Sequence, residues 1–369
     1  MIALVFSALL ALCAGVTAAQ SSSTTQQGAA TKQQSAQQQN DDVLLPPEGV
    51  NPDQQGAATA TPAQGPVNQP GDTVSLSPQG RAPEKSSNGT FVFKTEVQEV
   101  TLHATVVDDH LHPVTTLSRT AFQVFEDGQA QRITSFRRED IPVALAVVID
   151  NSGSMRDKRP SVNAAALNLV RASNPQDQVC VVNFNNEYYL DQDYTGNVSL
   201  LRDALERIES RGGTALYDAL VATSDHLMKS AKLQKKIILV VTDGEDTASR
   251  DTLEQAVRAI AVDGGPTVYT IGLLGQEREK KARRALRILA EQTGGVSFFP
   301  ASVNEVEAIS QQIAHDIRNQ YTIGYKPSTP MTAGGYRQVK VKAVASGYRG
   351  LSVRTRSGYY ATSGEKASN

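Results

Sequence analysis

Pro142–Asp150 reads PVALAVVID, and Lys235–Asp243 reads KKIILVVTD. Each is a continuous apolar run that closes on an aspartate, without the alternation that one-sided burial would impose. Such runs predict central parallel strands covered on both faces. Further strand-like runs, QVCVVNF, TVYTIGL and GGVSFFP, lie downstream, with an edge hairpin expected at Glu187–Asp193. Between them fall helical stretches at about Lys158–Ala172, Leu200–Ser210, Leu216–Ser230, 251–263, 278–292 and 303–319, and a glycine turn at Gly212-Gly213. Strands alternating with helices of roughly ten to fifteen residues mean βαβ units. The fold class predicted is α/β, with a doubly wound, mostly parallel, Rossmann-like sheet.

Outward from this body the period changes. Phe91–Asp109 (FVFKTEVQEVTLHATVVDD) alternates apolar and polar residues at period two, as half-buried strands do. A turn is expected around His110–Pro113, and Ala121–Arg138 reads as two strands joined at Asp127-Gly128, a hairpin dipeptide. After Asn319 the same period returns in QYTIGYKP, YRQVKVKAV and LSVRTRSGYY. Neither flank has enough strands for a stable two-layer core. The simplest assembly is one β-sandwich built from both flanks with the α/β body inserted into it; two separate small sheets are the alternative.

The chain has 369 residues, with 36 Lys+Arg against 38 Asp+Glu, so it lacks the basic excess of a nucleic-acid binder. Two cysteines exclude a disulfide-stapled scaffold and a cysteine-rich zinc module. The absence of Trp disfavours a carbohydrate-stacking platform. Met1–Ala19 (MIALVFSALLALCAGVTAA) is uncharged and too short for a span of roughly 20 residues. It reads as a secretory signal cleaved before Gln20, although its n-region lacks Lys or Arg, which keeps an uncleaved anchor open. Cys13 does not complete a lipobox, because Leu12 stands where Gly or Ala is wanted. Cys180, inside an apolar run, is expected to be a buried hydrophobe. The organisation expected is therefore a signal at 1–19, a disordered Gln/Ser/Pro-rich linker at 20–88, a β segment at 89–140, the α/β domain at 141–319, a second β segment at 320–362 and a tail at 363–369. The expected location is exported: periplasm, outer surface or extracellular.

In an open α/β sheet, ligands bind beyond the carboxyl ends of the strands where strand order reverses. Here one strand ends in Asp150-Asn151-Ser152-Gly153-Ser154 and another in Thr242-Asp243-Gly244-Glu245-Asp246. If these strands are neighbours, Asp150 and Asp243 meet in one crevice, and Thr214 after the glycine turn offers a further hydroxyl. Carboxylates and hydroxyls are hard oxygen donors that suit Mg²⁺, Mn²⁺ or Ca²⁺ rather than zinc or copper. Ser152 and Ser154 can face such an ion together, with Gly153 allowing the backbone between them to bend closely.

Asp150-x-Ser152-x-Ser154, Thr214 and Asp243 resemble the metal-ion-dependent adhesion site of von Willebrand factor type A domains, over about Pro142–Asn319. The flanks VFEDGQAQRITSF and IGYKP…GYY are similar to exported bacterial proteins related to that family in Acidobacteria. The resemblance implies a divalent cation, Mg²⁺ first, contacted by Ser152, Ser154 and Thr214, with Asp150 and Asp243 acting largely through water. It implies a protein partner whose Asp or Glu carboxylate fills the open position, and helix 303–319 as the candidate moving element.

Other charged residues read as ordinary structure. Glu245 and Asp246 are expected to be solvated loop charges, Arg156 and Asp157 helix-start residues, and His110 and His112 surface groups. No His follows either loop and no G-x-S-x-G elbow or P-loop is present, so a metal-assisted hydrolase is a minor alternative and the chain is expected not to be an enzyme. A purely structural envelope component is the other alternative. Membrane association is expected only through an uncleaved signal or a lipid anchor.

Overall fold

The structure, a computed structural model, describes residues 84–85, 91–92 and 99–361, apart from 139, 208–209 and 275–279. The expected signal, Cys13, nearly all of the expected linker and the tail beyond 361 lie outside the described residues. In chain order, β1 (Glu84–Lys85) and β2 (Phe91–Val92) form an antiparallel ribbon. β3 (Val100–Val107), β4 (Phe122–Glu126), β5 (Gln129–Gln131) and β6 (Ile133–Arg137) follow. The α/β body runs β7 (Val143–Asp150), α1 (Arg159–Arg171), β8 (Gln178–Phe184), β9 (Tyr188–Thr195), α2 (Val198–Glu206) and α3 (Leu216–Ser230). It continues through β10 (Lys235–Thr242), α4 (Leu253–Ile260), β11 (Thr267–Gly272), α5 (Lys280–Thr293), β12 (Ser297–Phe298) and α6 (Val306–Arg318). Then come β13 (Tyr321–Tyr325), β14 (Tyr336–Ala343), β15 (Ser352–Arg354) and β16 (Gly358–Tyr360).

The central sheet has the order β12-β11-β10-β7-β8-β9, parallel except for β9, which runs antiparallel at the edge. All eight residues of β7 are buried, which is why the run carries no polar alternation. Val143, Leu145, Val147 and Ile149 face α1, α2 and α6, while Ala144, Ala146 and Val148 face α3, α4 and α5. The chain steps outward from β7 to β8 and β9, then crosses back to pair β10 on the other side of β7. Strand order therefore reverses between β7 and β10, and the crevice opens there.

Several elements differ in extent from the sequence expectation. α4 starts later, at a capping box in which Thr252 and Gln255 satisfy each other's backbone, and ends at Ile260. It stops because the chain turns to meet the second β segment, where Val262 bridges Tyr360. α6 is entered through a single 3-10 turn, Val303–Glu305.

The flanking strands form two four-stranded sheets, β15-β3-β13-β6 and β16-β14-β4-β5, and each draws on both flanks. Their facing side chains share one apolar core that includes Leu102, Phe122, Tyr321, Ile323 and Val339. Asp127 and Gly128 both have positive φ (48° and 79°), the requirement of a two-residue hairpin turn. The stretch expected as two strands is three: β4 and β5 stay together, while β6 leaves for the other sheet. LSVRTRSGYY likewise breaks into β15 and β16 on different sheets.

The sandwich is fastened near the amino ends of the central strands. Lys235, the first residue of β10, donates to Ile317 O at 2.5 Å. Arg318 pairs with Asp140 at 2.9 Å and with Asp177, whose Oδ1 accepts the Val143 N–H at 2.8 Å. Asp316 accepts from Tyr269 (2.6 Å), Arg354 (2.6 Å) and Thr105 (3.0 Å), gathering both units on one carboxylate. The carboxyl ends of the strands lie at the opposite end.

Inside the sandwich, Glu126 is 3% exposed and accepts from Tyr325 Oη (2.5 Å), Tyr359 Oη (2.8 Å) and Arg337 Nη1 (3.2 Å). Removing one member of a buried ion pair strands the other charge. Glu126→Ala should therefore lower the unfolding free energy by about 3–5 kcal/mol in urea titration. A change below about 1 kcal/mol would mean that Arg337 finds other partners, since its Nη atoms also reach the Thr329 and Pro330 carbonyls.

Candidate functional site

Asp150 is the last residue of β7, and Asp243 follows the last residue of β10. Ile149 pairs with Val241, so the next residues in register, Asp150 and Thr242, end side by side. Thr242 Oγ1 donates to Asp150 Oδ2 at 2.6 Å, and the Ser152 N–H donates to Oδ1 at 2.8 Å. Burial pushes the Asp150 carboxyl above the usual carboxylate range. The hydrogen bonds from Thr242 and Ser152 pull against that rise, and the Asp243 charge adds to it.

The loop after Asp150 is pinned from beneath by Met155, which is fully buried. Asn151 N–H donates to Phe184 O at 2.6 Å, Arg211 N–H to Asn151 O at 2.9 Å and Gly153 N–H to Gly212 O at 3.2 Å. These bonds aim Ser152 and Ser154 at one point. Ser154 Oγ donates to Asp243 Oδ1 at 2.8 Å and lies 3.2 Å from Ser152 Oγ. The other oxygen of Asp243 is held by the Lys158 ammonium. Gly153 does not serve the close bend expected of it, because a Cβ there would meet no atom within 4 Å.

Thr214 arrives on the turn before α3. Gly212 has φ +80°, and a Cβ on Gly213 would sit 2.8 Å from Asn186 Oδ1, so both glycines are required by the approach of Asn186. Asn186 Oδ1 accepts the Gly213 N–H at 2.7 Å. Thr214 N–H donates to Thr247 Oγ1 at 3.0 Å, and its carbonyl accepts from Thr247 and Ala248 at 2.8 and 3.1 Å. Its hydroxyl lies 3.9 Å from where a Cβ on Gly244 would stand, facing the loop of Asp243. The five residues thus gather at one end of the sheet. Four form a single hydrogen-bonded chain; the Thr214 hydroxyl stands beside it without a bond to the other four among the described residues.

Sequence reasoning passed over Thr242, Lys158 and Asn186. Thr242 was accessible from the aligned ends of two parallel strands, and Asn186 from the third strand end on the same side. Lys158 had no such signal, because spacing alone does not say where a flexible ammonium goes. Among the described residues no group of three or more His, Cys, Asp or Glu side chains is arranged to hold a metal. A cation here would therefore rest on hydroxyls as well as carboxylates, and the donor chemistry fits a hard ion. The ammonium on Asp243 shows that this carboxylate accepts a positive partner. His110 and His112 are exposed in the turn after β3, and His226 pairs with Asp193 at 2.9 Å.

Residues 145–245 match the family model of the von Willebrand factor type A domain. With the sheet order above, the α/β body has the von Willebrand type A fold. An uncharacterized protein of Synechocystis sp. is 29% identical over 163 residues, which are 43% of this chain and 38% of that protein. The chain thus spans well under half the length of that relative. Among solved structures, a von Willebrand factor type A protein of Catenulispora acidiphila is 13% identical, over 73% of this chain and 74% of that one, with a TM-score of 0.43. The corresponding domain of the type V pili tip protein of Porphyromonas gingivalis is 15% identical, over 48% of this chain and 95% of that one, with a TM-score of 0.41.

Asp246 is not the solvated charge expected from the sequence. Its carboxylate accepts from Tyr217 N–H (3.1 Å), Ser249 N–H (3.2 Å) and Ser249 Oγ (2.5 Å), so it caps the start of α3 from the neighbouring loop. Asp246→Ala should cost about 1–2 kcal/mol of stability by thermal or urea unfolding. Glu245, whose contact with exposed Lys281 is 3.8 Å, should tolerate alanine to within about 0.5 kcal/mol. Equal effects at the two positions would contradict the capping role.

Proposed function

We propose that the chain is an exported, divalent-cation-dependent protein-binding module and not an enzyme. Asp150, Ser152, Ser154, Thr214 and Asp243 would hold Mg²⁺, or Mn²⁺ or Ca²⁺ in its place, and a partner's Asp or Glu carboxylate would complete the site. The observation that carries this reading is the convergence of Ser152 Oγ, Ser154 Oγ and Asp243 Oδ1 at 2.8–3.2 Å, with the second Asp243 oxygen already holding a positive group. The bound ion would supply an electrophilic position for one more oxygen, because hydroxyls donate little charge to it.

The protein's own residues do the positioning. Asp150 fixes the loop through Ser152 N–H and is itself fixed by Thr242. Gly153, facing open space, leaves the front of the loop clear for a ligand. Both carboxylates are already engaged by donors within the site, and this favours binding over hydrolysis, which needs a free general base. Export rests on Met1–Ala19, outside the described residues.

Calorimetry with Mg²⁺ and Mn²⁺ tests the site directly. Asp243→Ala and Ser152→Ala should each weaken cation affinity at least about tenfold while the thermal melt stays cooperative. Glu245→Ala should leave affinity unchanged. Bound Mn²⁺ should enhance water proton relaxation, and a blocked aspartate peptide should reduce that enhancement by taking a water's place. Equal cation affinity in wild type and Asp243→Ala would sink the proposal.

Lys158 must yield Asp243 to an incoming cation. Its side chain is 34% exposed, so the ion pair is partly screened and worth at most about 1 kcal/mol. Lys158→Met should therefore tighten Mg²⁺ binding by up to about fivefold. Weaker binding in this variant would show that the lysine helps to build the site instead.

A further inference from the structure

Beside the loop of Ser152 and Ser154, α1 and the end of α2, with Ser210 and Arg211, line a groove of about 780 Å³. Its wall is bonded to that loop: Ser210 Oγ donates to Asn151 Oδ1 at 3.0 Å, and Arg211 N–H donates to Asn151 O at 2.9 Å. Among the described residues, three arginines line it, Arg156, Arg159 and Arg211, against one carboxylate, that of Glu206.

Arg159 sets its chemistry. It is 6% exposed, and its Nη2 donates to Leu205 O at 3.0 Å. Its Nε and Nη1 have no hydrogen-bond partner among the described residues. Buried donors are almost always paired, and a groove-lining guanidinium that keeps two buried donors idle is suited to an oxyanion. Asn163 is in the complementary position. Its Nδ2 donates to Leu205 O at 2.9 Å, but its Oδ1 is buried without a partner among the described residues and needs a donor. Pro160, Ala164 and Leu167 add apolar surface to the lining.

We propose that this groove is a second anchoring site for an acidic peptide segment of the partner. A carboxylate of that segment takes the idle donors of Arg159, with Arg156 and Arg211 at the mouth, while a peptide N–H reaches Asn163 Oδ1. This rests on the reading of the neighbouring site as a carboxylate-capturing one, and it specifies the partner further: one acidic group for the cation, another for Arg159. A free phosphate would suit the guanidinium but would leave the apolar lining of Pro160, Ala164 and Leu167 uncovered. A peptide satisfies donor and acceptor together.

The test uses the full chain, nitrogen-15-labelled, titrated with a blocked peptide carrying two aspartates, its counterpart carrying one, and inorganic phosphate. Each titration is run with Mg²⁺ and in excess chelator, following the Arg159 Nε–H resonance and the affinity by calorimetry. The two-aspartate peptide should move that resonance in both conditions and bind the Mg²⁺ form more tightly than the one-aspartate peptide. Arg159→Met should weaken it by about thirtyfold or more with or without Mg²⁺, the scale of losing one partner of a buried interfacial charge pair. Arg211→Glu, on an exposed side chain, should weaken it in the same direction and keeps the test open if Arg159→Met does not fold. An unmoved resonance, or full affinity in Arg211→Glu, overturns the groove while leaving Mg²⁺-dependent capture standing. An Arg159 response with no Mg²⁺ dependence supports the groove and removes the cation-based function. Phosphate that moves the resonance and displaces the peptide at equal concentration makes the groove a small-anion site and overturns the peptide assignment.

Discussion

The parallel pairing of β7 with β10 is the constraint on which the rest depends. It sets Ile149 against Val241, and so brings Asp150, Thr242 and Asp243 to the same edge. Two carboxylates cannot be held that closely in a buried place without donors, and each donor traces to a specific piece of chain. Thr242 serves Asp150 from the adjacent strand. Ser152 serves it from the following loop. Ser154 and Lys158 serve Asp243 from the other side. Once the two strands are adjacent, the loops have little freedom left, because backbone bonds from Asn151 to Phe184 and from Gly153 to Gly212 fix where the serines point.

The sandwich and the site occupy opposite ends of the sheet, and each end is organised by charge. Near the amino ends, Arg318, Asp140, Asp177, Asp316 and Arg354 form paired contacts that join the sandwich to α6 and β11. Such part-buried pairs give orientation more than stability, since desolvation offsets much of their attraction. α6 runs directly into β13 through Asn319 and Gln320, and Gln320 itself bonds to Tyr269 Oη at 3.1 Å. The end of α6 is thus tied to both units, so any shift of this helix must disturb the seam.

The legible parts of the sequence were those where local pattern and tertiary role agree. PVALAVVID has no reading other than a strand covered on both faces, and the aspartates at the two strand ends followed from the aligned termini. The DG turn was legible because both residues need positive φ. The break inside LSVRTRSGYY was not. It falls where Arg356 turns inward to donate to the Val262 and Gly265 carbonyls, a contact with the loop after α4 that no local period encodes. Asp246 was misread for the same reason. Its partners, Tyr217 and Ser249, lie on the start of a helix and on its own loop, and only the fold brings them together.

The last constraint is the distribution of charge around the loop of Ser152 and Ser154. Two acids and three hydroxyls make a weak donor set, and among the described residues the cation placed on it is Lys158. Arg159, the next residue, points the other way, toward Leu205 and the groove. One turn of chain thus sends neighbouring positive groups to two different places, the first to a carboxylate and the second to a buried position with no acid in contact among the described residues. Asp150 and Asp191 support the charge on Arg159 only through space, against the burial that disfavours it. A buried cation kept this way is costly unless something outside the chain completes it. The two places thus differ in sign and in completeness: Asp243 already holds Lys158, whereas two donors of Arg159 have no partner among the described residues. With a divalent cation bound beside Asp243, as proposed above, an acidic segment bringing one carboxylate to the ion and another to Arg159 would complete both places.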